Sequence, residues 1–254
     1  MFYQAEVGGL VEKEESGYDK VQRAIVWLRQ EHYMPFGYIT DATRWMRKPA
    51  SFSNIEDALR NTVDCYRRAI WRHASVYVEF WIEKDALAGT LYPVTSEFDV
   101  PLMVARGYSS LTFLYSAAEA IIANGKPAYI YHLGDWDPSG QDAADHIERK
   151  LREYAPGCEI HFQKLAVTPQ QISEWTLPTR PTKRKDSRAK KWTGGDSVEL
   201  DAIPPDTLRQ IVRGAIEQHI NQDQVAAIEA AEQSEREIAG LFIDQFNGFQ
   251  WEAR

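Results

Sequence analysis

The amino-acid sequence predicts an α/β protein built around a parallel sheet of four strands. The alternation of strand and helix patterns and the length of the helical stretches support this prediction. Between residues 75 and 167, runs of β-branched and aromatic residues alternate with stretches of helical periodicity, and each of these stretches is long enough to form a helix. Such alternation implies right-handed crossovers between parallel strands. In an open parallel sheet we expect ligands to bind beyond the carboxyl ends of the strands.

The first 74 residues are predicted to form a helical module. Apolar residues recur at helical spacing over Asp19–Glu31, a short second element is predicted at Tyr38–Trp45, and a third helix follows over Ile55–Ile70. Short helices around tight turns are typical of a helix-turn-helix or winged-helix module. A helical cap on the neighbouring domain explains the same pattern, so both alternatives stay open.

The central region, residues 75–170, carries the predicted sheet. Its strands are bounded by glycine, proline and polar residues, and the third predicted helix, Ser139–Tyr154, follows the third strand closely. The predicted strands cover Ser75–Ile82, Val100–Ala105, Pro127–Leu133 and Cys158–Leu165.

Residues 171–254 are predicted to form a basic loop and a C-terminal helical extension. Arg180–Lys191 carries seven basic residues and one acidic residue, so it differs from the acidic remainder of the chain. Apolar residues then recur at helical spacing from Val225 to Phe242. A stripe of this kind is typical of a packing or dimerisation helix.

The composition is that of a globular protein: of 254 residues, 44% are hydrophobic, and the formal net charge is -8. An acidic chain is not expected to coat nucleic acid nonspecifically. We expect no membrane partner, because the apolar runs are too short to span a bilayer. The first residues lack the features of a signal peptide, so we expect a cytoplasmic protein in which Cys65 and Cys158 are free thiols.

Carboxylates follow two of the predicted strands. Glu83 comes directly after the first strand, and Asp135 and Asp137 follow the third. The two aspartates are separated by one residue, so in an extended segment their side chains point the same way. Three converging carboxylates repel one another unless a cation neutralises them, and their hard oxygens suit Mg²⁺ or Mn²⁺. The sequence therefore predicts a metal site at this edge of the sheet.

The aspartate pair has three interpretations besides the metal site. An aspartate before Pro138 is ordinary helix capping, but one cap needs only one aspartate. A calcium loop of the EF-hand type is excluded, because its twelfth position is His146 rather than glutamate. A phosphatase of the haloacid-dehalogenase type begins with two such aspartates, but on its first strand rather than its third.

The order of these motifs resembles the Toprim domain of topoisomerases, primases and related nucleases. The string "GDWDPSG" is similar to the D-x-D-P-x-G motif of the topoisomerase VI A subunit and its meiotic double-strand-break relatives. The resemblance covers residues 75–167, and the first 74 residues resemble a shortened winged-helix region of that family. It implies a Rossmann-like Toprim sheet in which Glu83, Asp135 and Asp137 hold one or two Mg²⁺ ions that act on a DNA phosphodiester.

The same family carries a catalytic tyrosine, preceded by arginine, in its winged-helix domain. The nearest counterpart here is Tyr3 in "MFYQ", which is a single tyrosine without that arginine. An aromatic side chain that packs on the core is the alternative for Tyr3. The nucleophile is therefore left open between water, as in a nuclease, and Tyr3, as in a topoisomerase-like transesterase.

Further candidates lie close to the predicted strand ends. Lys84 is a candidate phosphate contact, and Asp85 is either an outer-sphere metal ligand or an acidic residue that favours a helix N-terminus. Arg106, before two serines at the start of a helix, is a second candidate phosphate contact. Glu199 and Asp201 are separated by one residue, so they form either part of a second metal site or a solvated acidic edge.

The basic loop is the expected DNA-binding segment. Its cations can bind phosphates, and a solvated flexible loop is the alternative. The candidate DNA-binding residues in it are Lys183, Arg184, Lys185 and Arg188.

The sequence thus predicts a Mg²⁺-dependent DNA-cleaving enzyme. Resemblance and the long last helix favour a homodimer, and a second subunit stays open because strand passage in that family requires an ATPase partner. The alternatives are a non-catalytic, metal-bound DNA-binding or partner protein, and a phosphatase for small substrates that uses Asp135 and Asp137.

Overall fold

The chain forms two compact units, which are described separately. The first comprises Met1–Val21 and Trp71–Ile220 and contains the sheet, and the second comprises Gln22–Ile70 and Asn221–Arg254. The computed structural model describes residues 2–12, 14–35, 38, 48–105, 107–182 and 192–247. The element predicted at Tyr38–Trp45 lies outside these residues except for its first.

Helices and strands alternate through the first unit, as the sequence predicts. No helix among the described residues is long and apolar enough to cross a membrane. Short 3₁₀ turns lie at Ile70–His73 and Leu200–Ala202. In chain order the other elements are α1 (Phe2–Val7), α2 (Glu15–Gln30), α3 (Ile55–Cys65), β1 (Tyr77–Ile82), α4 (Asp85–Glu97), β2 (Leu102–Val104), α5 (Leu111–Asn124), β3 (Ala128–Leu133), α6 (Pro138–Tyr154), β4 (Ile160–Ala166), α7 (Pro169–Glu174), α8 (Pro205–Glu217) and α9 (Gln222–Asn247).

The four strands form one parallel sheet in the order β2-β1-β3-β4, which confirms the predicted α/β fold. Ile82 of β1 lies opposite Val104 of β2 and Leu133 of β3, so these three strands end level with one another. Strand β2 is shorter than predicted. The N–H of Val100 instead donates to the carbonyl of Thr95 at the end of α4, and the next residue is a proline without an N–H.

Helices cover both faces of the sheet because the crossovers run in two directions. The connection through α4 leads from β1 to one side, whereas those through α5 and α6 lead to the other side, and right-handed crossovers then place them on opposite faces. Helices α5 and α6 enclose a core in which Trp81, Leu114 and Ile130 are fully buried. Helix α8 packs on α4 at the other face.

Helix ends follow the capping residues in most places. Asn54 caps α3, since its Oδ1 accepts from the N–H of Asp57 at 2.8 Å. Helix α3 ends at Cys65 rather than continuing to Ile70, because Tyr66 takes an extended backbone. The Tyr66 carbonyl accepts from the guanidinium of Arg236 in α9, and this tertiary contact within the second unit replaces the predicted helical turn.

Candidate metal centre

The candidate site lies where the neighbouring strands β1 and β3 end. The chain leaves β1 toward β2 on one side and leaves β3 toward β4 on the other, and a crevice forms at such a topological switch point. Glu83 and Lys84 follow β1, and Asp135 and Asp137 follow β3. The N–H of Glu83 donates to the carbonyl of Leu133 at 3.0 Å, which holds the two strand ends together.

The carboxylate of Glu83 binds the backbone that follows β3. Its Oε2 accepts from the N–H of Asp135 at 3.2 Å. A Cβ at Gly134 would lie 3.0 Å from this oxygen, and a Cβ at Gly140 would lie 3.2 Å from it. A side chain at either position would thus crowd the Glu83 carboxylate, and Glu83, Gly134 and Gly140 together form what we call the glycine side of the site.

The two aspartates after β3 make different contacts. Asp137 caps α6, since its Oδ1 accepts from the N–H of Gly140 at 2.7 Å, and Pro138 begins the helix. Asp135 does not cap this helix; its Oδ1 accepts from the N–H of Leu200 at 2.8 Å. Capping thus accounts for Asp137 but leaves Asp135 for another role, as the sequence pattern indicates.

The ammonium of Lys84 contacts a second set of carboxylates on the other side of Asp135. Its Nζ lies 2.6 Å from Oδ2 of Asp201 and 3.3 Å from both Oε2 of Glu199 and Oδ1 of Asp135. Asp201 is buried, with 8% of its surface exposed, so it is not part of a solvated acidic edge. We call Lys84, Glu199 and Asp201 the lysine side of the site. Arg180 also binds Glu199, with an Nη1 to Oε1 distance of 2.9 Å.

Burial and charge shift the protonation of these groups. Burial raises the pKa of Glu83, and the negative charges of Asp135 and Asp137 raise it further. Burial also raises the pKa of Asp135, although the ammonium of Lys84 opposes this. For Lys84, burial works to lower the pKa, but the neighbouring carboxylates outweigh it, so its pKa lies above the ordinary value. The site therefore holds more negative charge than one ammonium compensates.

The donor set on the glycine side fits a hard divalent cation. Glu83, Asp135 and Asp137 supply only oxygen donors, and a Cβ at Gly134 or Gly140 would come within 3.2 Å of the Glu83 Oε2. Among the residues that the structure describes, no group of three or more His, Cys, Asp or Glu side chains is already arranged to hold a metal ion. Asp135 would bind such an ion while its carboxylate also contacts Lys84.

The structure describes only some of the remaining candidate site residues. Helix α1, which carries Tyr3, contacts the 3₁₀ turn Leu200–Ala202, whose first N–H binds Asp135. Asp85 is the first residue of α4, where its charge favours the helix N-terminus. Arg106 and the basic residues Lys183, Arg184, Lys185 and Arg188 lie outside the described residues.

The two ends of the basic loop meet beside the site. The backbones of Arg180 and Ser197 form an antiparallel bridge, with N–H to carbonyl distances of 2.9 and 2.7 Å. A second bridge joins Trp136, between the two aspartates, to Val198. The chain therefore leaves and re-enters the edge of the sheet next to Glu199.

Sequence patterns did not identify the two glycines or Arg180 as parts of the site. Glycine directly before the first aspartate, and again three residues after the second, was the available signal for Gly134 and Gly140. Arg180 carried no comparable signal, because its contact with Glu199 joins distant parts of the chain.

Comparisons with known proteins give no family for this chain: no protein-family model matches it, and no curated protein matches it. The function is therefore inferred from the geometry of the site.

Proposed function

We propose that this chain is a Mg²⁺-dependent protein that binds DNA and cleaves its phosphodiester bonds, with a Toprim-like site of the topoisomerase VI A type. The observation that supports this most is the arrangement of Glu83 beside Asp135 and Asp137 at the switch point of a parallel sheet. Burial raises the pKa values of Glu83 and Asp135, and perturbed carboxylates of this kind are typical of functional sites. Mn²⁺ is the alternative cation.

Each part of the site has a role in this proposal. Glu83, Asp135 and Asp137 hold the cation, which when bound polarises a phosphoryl oxygen and stabilises the attacking or leaving oxygen. Gly134 and Gly140 keep the space in which Glu83 lies. The basic loop, which is rooted beside the site, binds the DNA phosphates that an acidic body alone would repel. Arg106 adds a further phosphate contact.

Two nucleophiles are compatible with the proposal. Water attacks in a nuclease, whereas Tyr3 attacks in a transesterase and remains attached to the DNA end. The contact of α1 with the turn that binds Asp135 favours testing Tyr3. The proposal includes a homodimer whose partner surface involves the long helix α9, and a second subunit is required only if strand passage occurs.

The experiment is cleavage of supercoiled DNA with Mg²⁺, followed by proteinase digestion, in matched variants. Asp137→Asn is the sharpest variant, because asparagine caps a helix as well as aspartate does but carries no charge. We expect it to lose cleavage and keep its thermal stability. Asp145→Asn is the control, since Asp145 lies on the same helix but pairs with Lys164 at the surface. Equal cleavage by wild type and Asp137→Asn would refute the metal site.

The same assay separates the alternatives. DNA ends that carry protein, and that disappear in Tyr3→Phe, identify a transesterase, whereas free ends identify a nuclease. Mg²⁺-dependent DNA binding without any cleavage identifies a non-catalytic DNA-binding protein. Hydrolysis of a small phosphate ester without action on DNA identifies a phosphatase that uses Asp135 and Asp137.

A further inference from the structure

The ammonium of Lys84 lies where three carboxylates from two other segments of the chain meet. Asp135 comes from the end of β3, Glu199 precedes the 3₁₀ turn, and Asp201 lies within that turn. The Lys84 side chain is only 21% exposed, and that of Asp201 is 9% exposed. Carboxylates this close and this shielded from water require a positive charge between them.

The position of Lys84 follows from the strand that precedes it. Consecutive residues at the end of an extended strand point to opposite sides, so Glu83 and Lys84 face apart. Their contacts agree with these opposite directions, because Glu83 accepts from the N–H of Asp135 whereas Lys84 donates to Asp201. Asp135 contacts both residues, since its backbone N–H binds Glu83 and its carboxylate binds Lys84.

This arrangement has the layout of a two-cation site. In two-metal sites the ions lie about 3.5–4 Å apart and act on the same reacting group. Asp135 is in the shared position, Glu83 and Asp137 line one side, and Glu199 and Asp201 line the other. The second side already holds a cation, the ammonium of Lys84.

We propose that Lys84 takes the place of a second divalent ion, so that each chain binds one Mg²⁺ or Mn²⁺, on the glycine side only. This inference rests on the proposed function, since it assumes that Glu83, Asp135 and Asp137 bind an ion. It assigns Glu199 and Asp201 to holding Lys84 instead of a metal. Lys84 is then a positioning residue that fixes Asp135 and limits the number of ions.

The test counts Mn²⁺ ions per chain by calorimetry and by electron paramagnetic resonance, without DNA. We expect one ion for wild type and two for Lys84→Met, because methionine fills similar volume but removes the ammonium between Asp135, Glu199 and Asp201, which leaves Arg180 on Glu199 alone. Lys164→Met is the matched control and stays at one ion, since Lys164 pairs with Asp145 at the surface. Glu199→Gln also stays at one ion, because Glu199 binds Lys84 rather than the metal.

The possible outcomes separate this inference from the proposed function. No ion bound by wild type refutes the proposed metal site itself. Two ions bound by wild type, loss of the ion in Glu199→Gln, or any count other than two in folded Lys84→Met refutes the role of Lys84 and leaves the metal site standing. If Lys84→Met does not fold, the counts for wild type and Glu199→Gln still decide.

Discussion

The glycine side and the lysine side of the site both contain partly buried carboxylates, but different groups contact them. On the glycine side, Glu83 is accommodated by space and by a backbone N–H, so negative charge accumulates. On the lysine side, the ammonium of Lys84 and the guanidinium of Arg180 together offset the charge of Glu199 and Asp201. The difference teaches that acidic residues at a strand end do not all indicate a metal. The side on which no ammonium of a described residue binds the Glu83 carboxylate is the one on which a divalent ion stabilises the site most.

The largest expected effect comes from Asp135, because it belongs to both sides. Asp135→Asn removes one metal ligand and one partner of Lys84 together. We expect Mn²⁺ affinity to fall at least about 100-fold, since residues that only support a ligand already cost 10–100-fold. Calorimetric titration measures this, with Asp145→Asn as the control. Unchanged Mn²⁺ affinity in Asp135→Asn would mean that Asp135 is not a ligand.

The next effect concerns His132, which lies behind the glycine side. Its imidazole Cε1 would be 2.6 Å from a Cβ at Gly134. Burial, together with the positive charge of Lys164, lowers the pKa of His132 from 6.5 to about 4. As the pH falls from 6.5 to 4, His132 therefore binds a proton in the unfolded chain but stays neutral in the folded chain. The free energy of unfolding decreases across this pH range.

The decrease due to His132 amounts to about 3 kcal/mol, at 1.36 kcal/mol for each pKa unit. We expect His132→Gln to lack this part of the pH dependence. Urea unfolding of wild type and variant at pH 7 and pH 4 measures it. Equal pH dependence in the two proteins would show that His132 titrates normally in the fold.

A smaller effect is expected from adding a methyl group on the glycine side. A Cβ at Gly140 would lie 2.6 Å from the backbone oxygen of Asp135, so Gly140→Ala must shift backbone. We expect a loss of about 1–3 kcal/mol in the free energy of unfolding, together with weaker Mn²⁺ binding. Gly89→Ala is the control, because nothing lies within 4 Å of a Cβ there and alanine favours its helix. If Gly89→Ala lowers the free energy of unfolding as much as Gly140→Ala does, the loss in Gly140→Ala does not come from the contact with Asp135.

The smallest effect is expected for a cation at the surface. Arg213 pairs with Glu97 at 2.6 Å, but their side chains are 39% and 47% exposed. We expect Arg213→Met to lower the free energy of unfolding by less than about 1 kcal/mol, because water screens the pair. It should leave Mn²⁺ binding unchanged, in contrast to Lys84→Met. A loss as large as that of Gly140→Ala would show that exposure does not distinguish the two cations.

The sequence predicts the parallel sheet and the residues at its strand ends because both are local patterns. Strand β3 and the cap at Asp137 follow from an apolar run and from Asp-Pro, and the position of Glu83 follows from β1. The partner of Lys84 does not follow in this way. Asp201 is 117 residues away, so only the folded chain brings the two together. The early end of α3 has a similar cause, a contact with α9.

The most direct test of the account is a crystal structure of the protein soaked in Mn²⁺, with anomalous scattering to locate the ion. We predict one peak on the glycine side, about 2.1 Å from carboxylate oxygens of Glu83, Asp135 and Asp137, since small divalent cations of this kind bind oxygen at that distance. Lys84 should still bind Asp201. A crystal with no peak beside Glu83, or with a peak in the place of the Lys84 ammonium, would contradict the account.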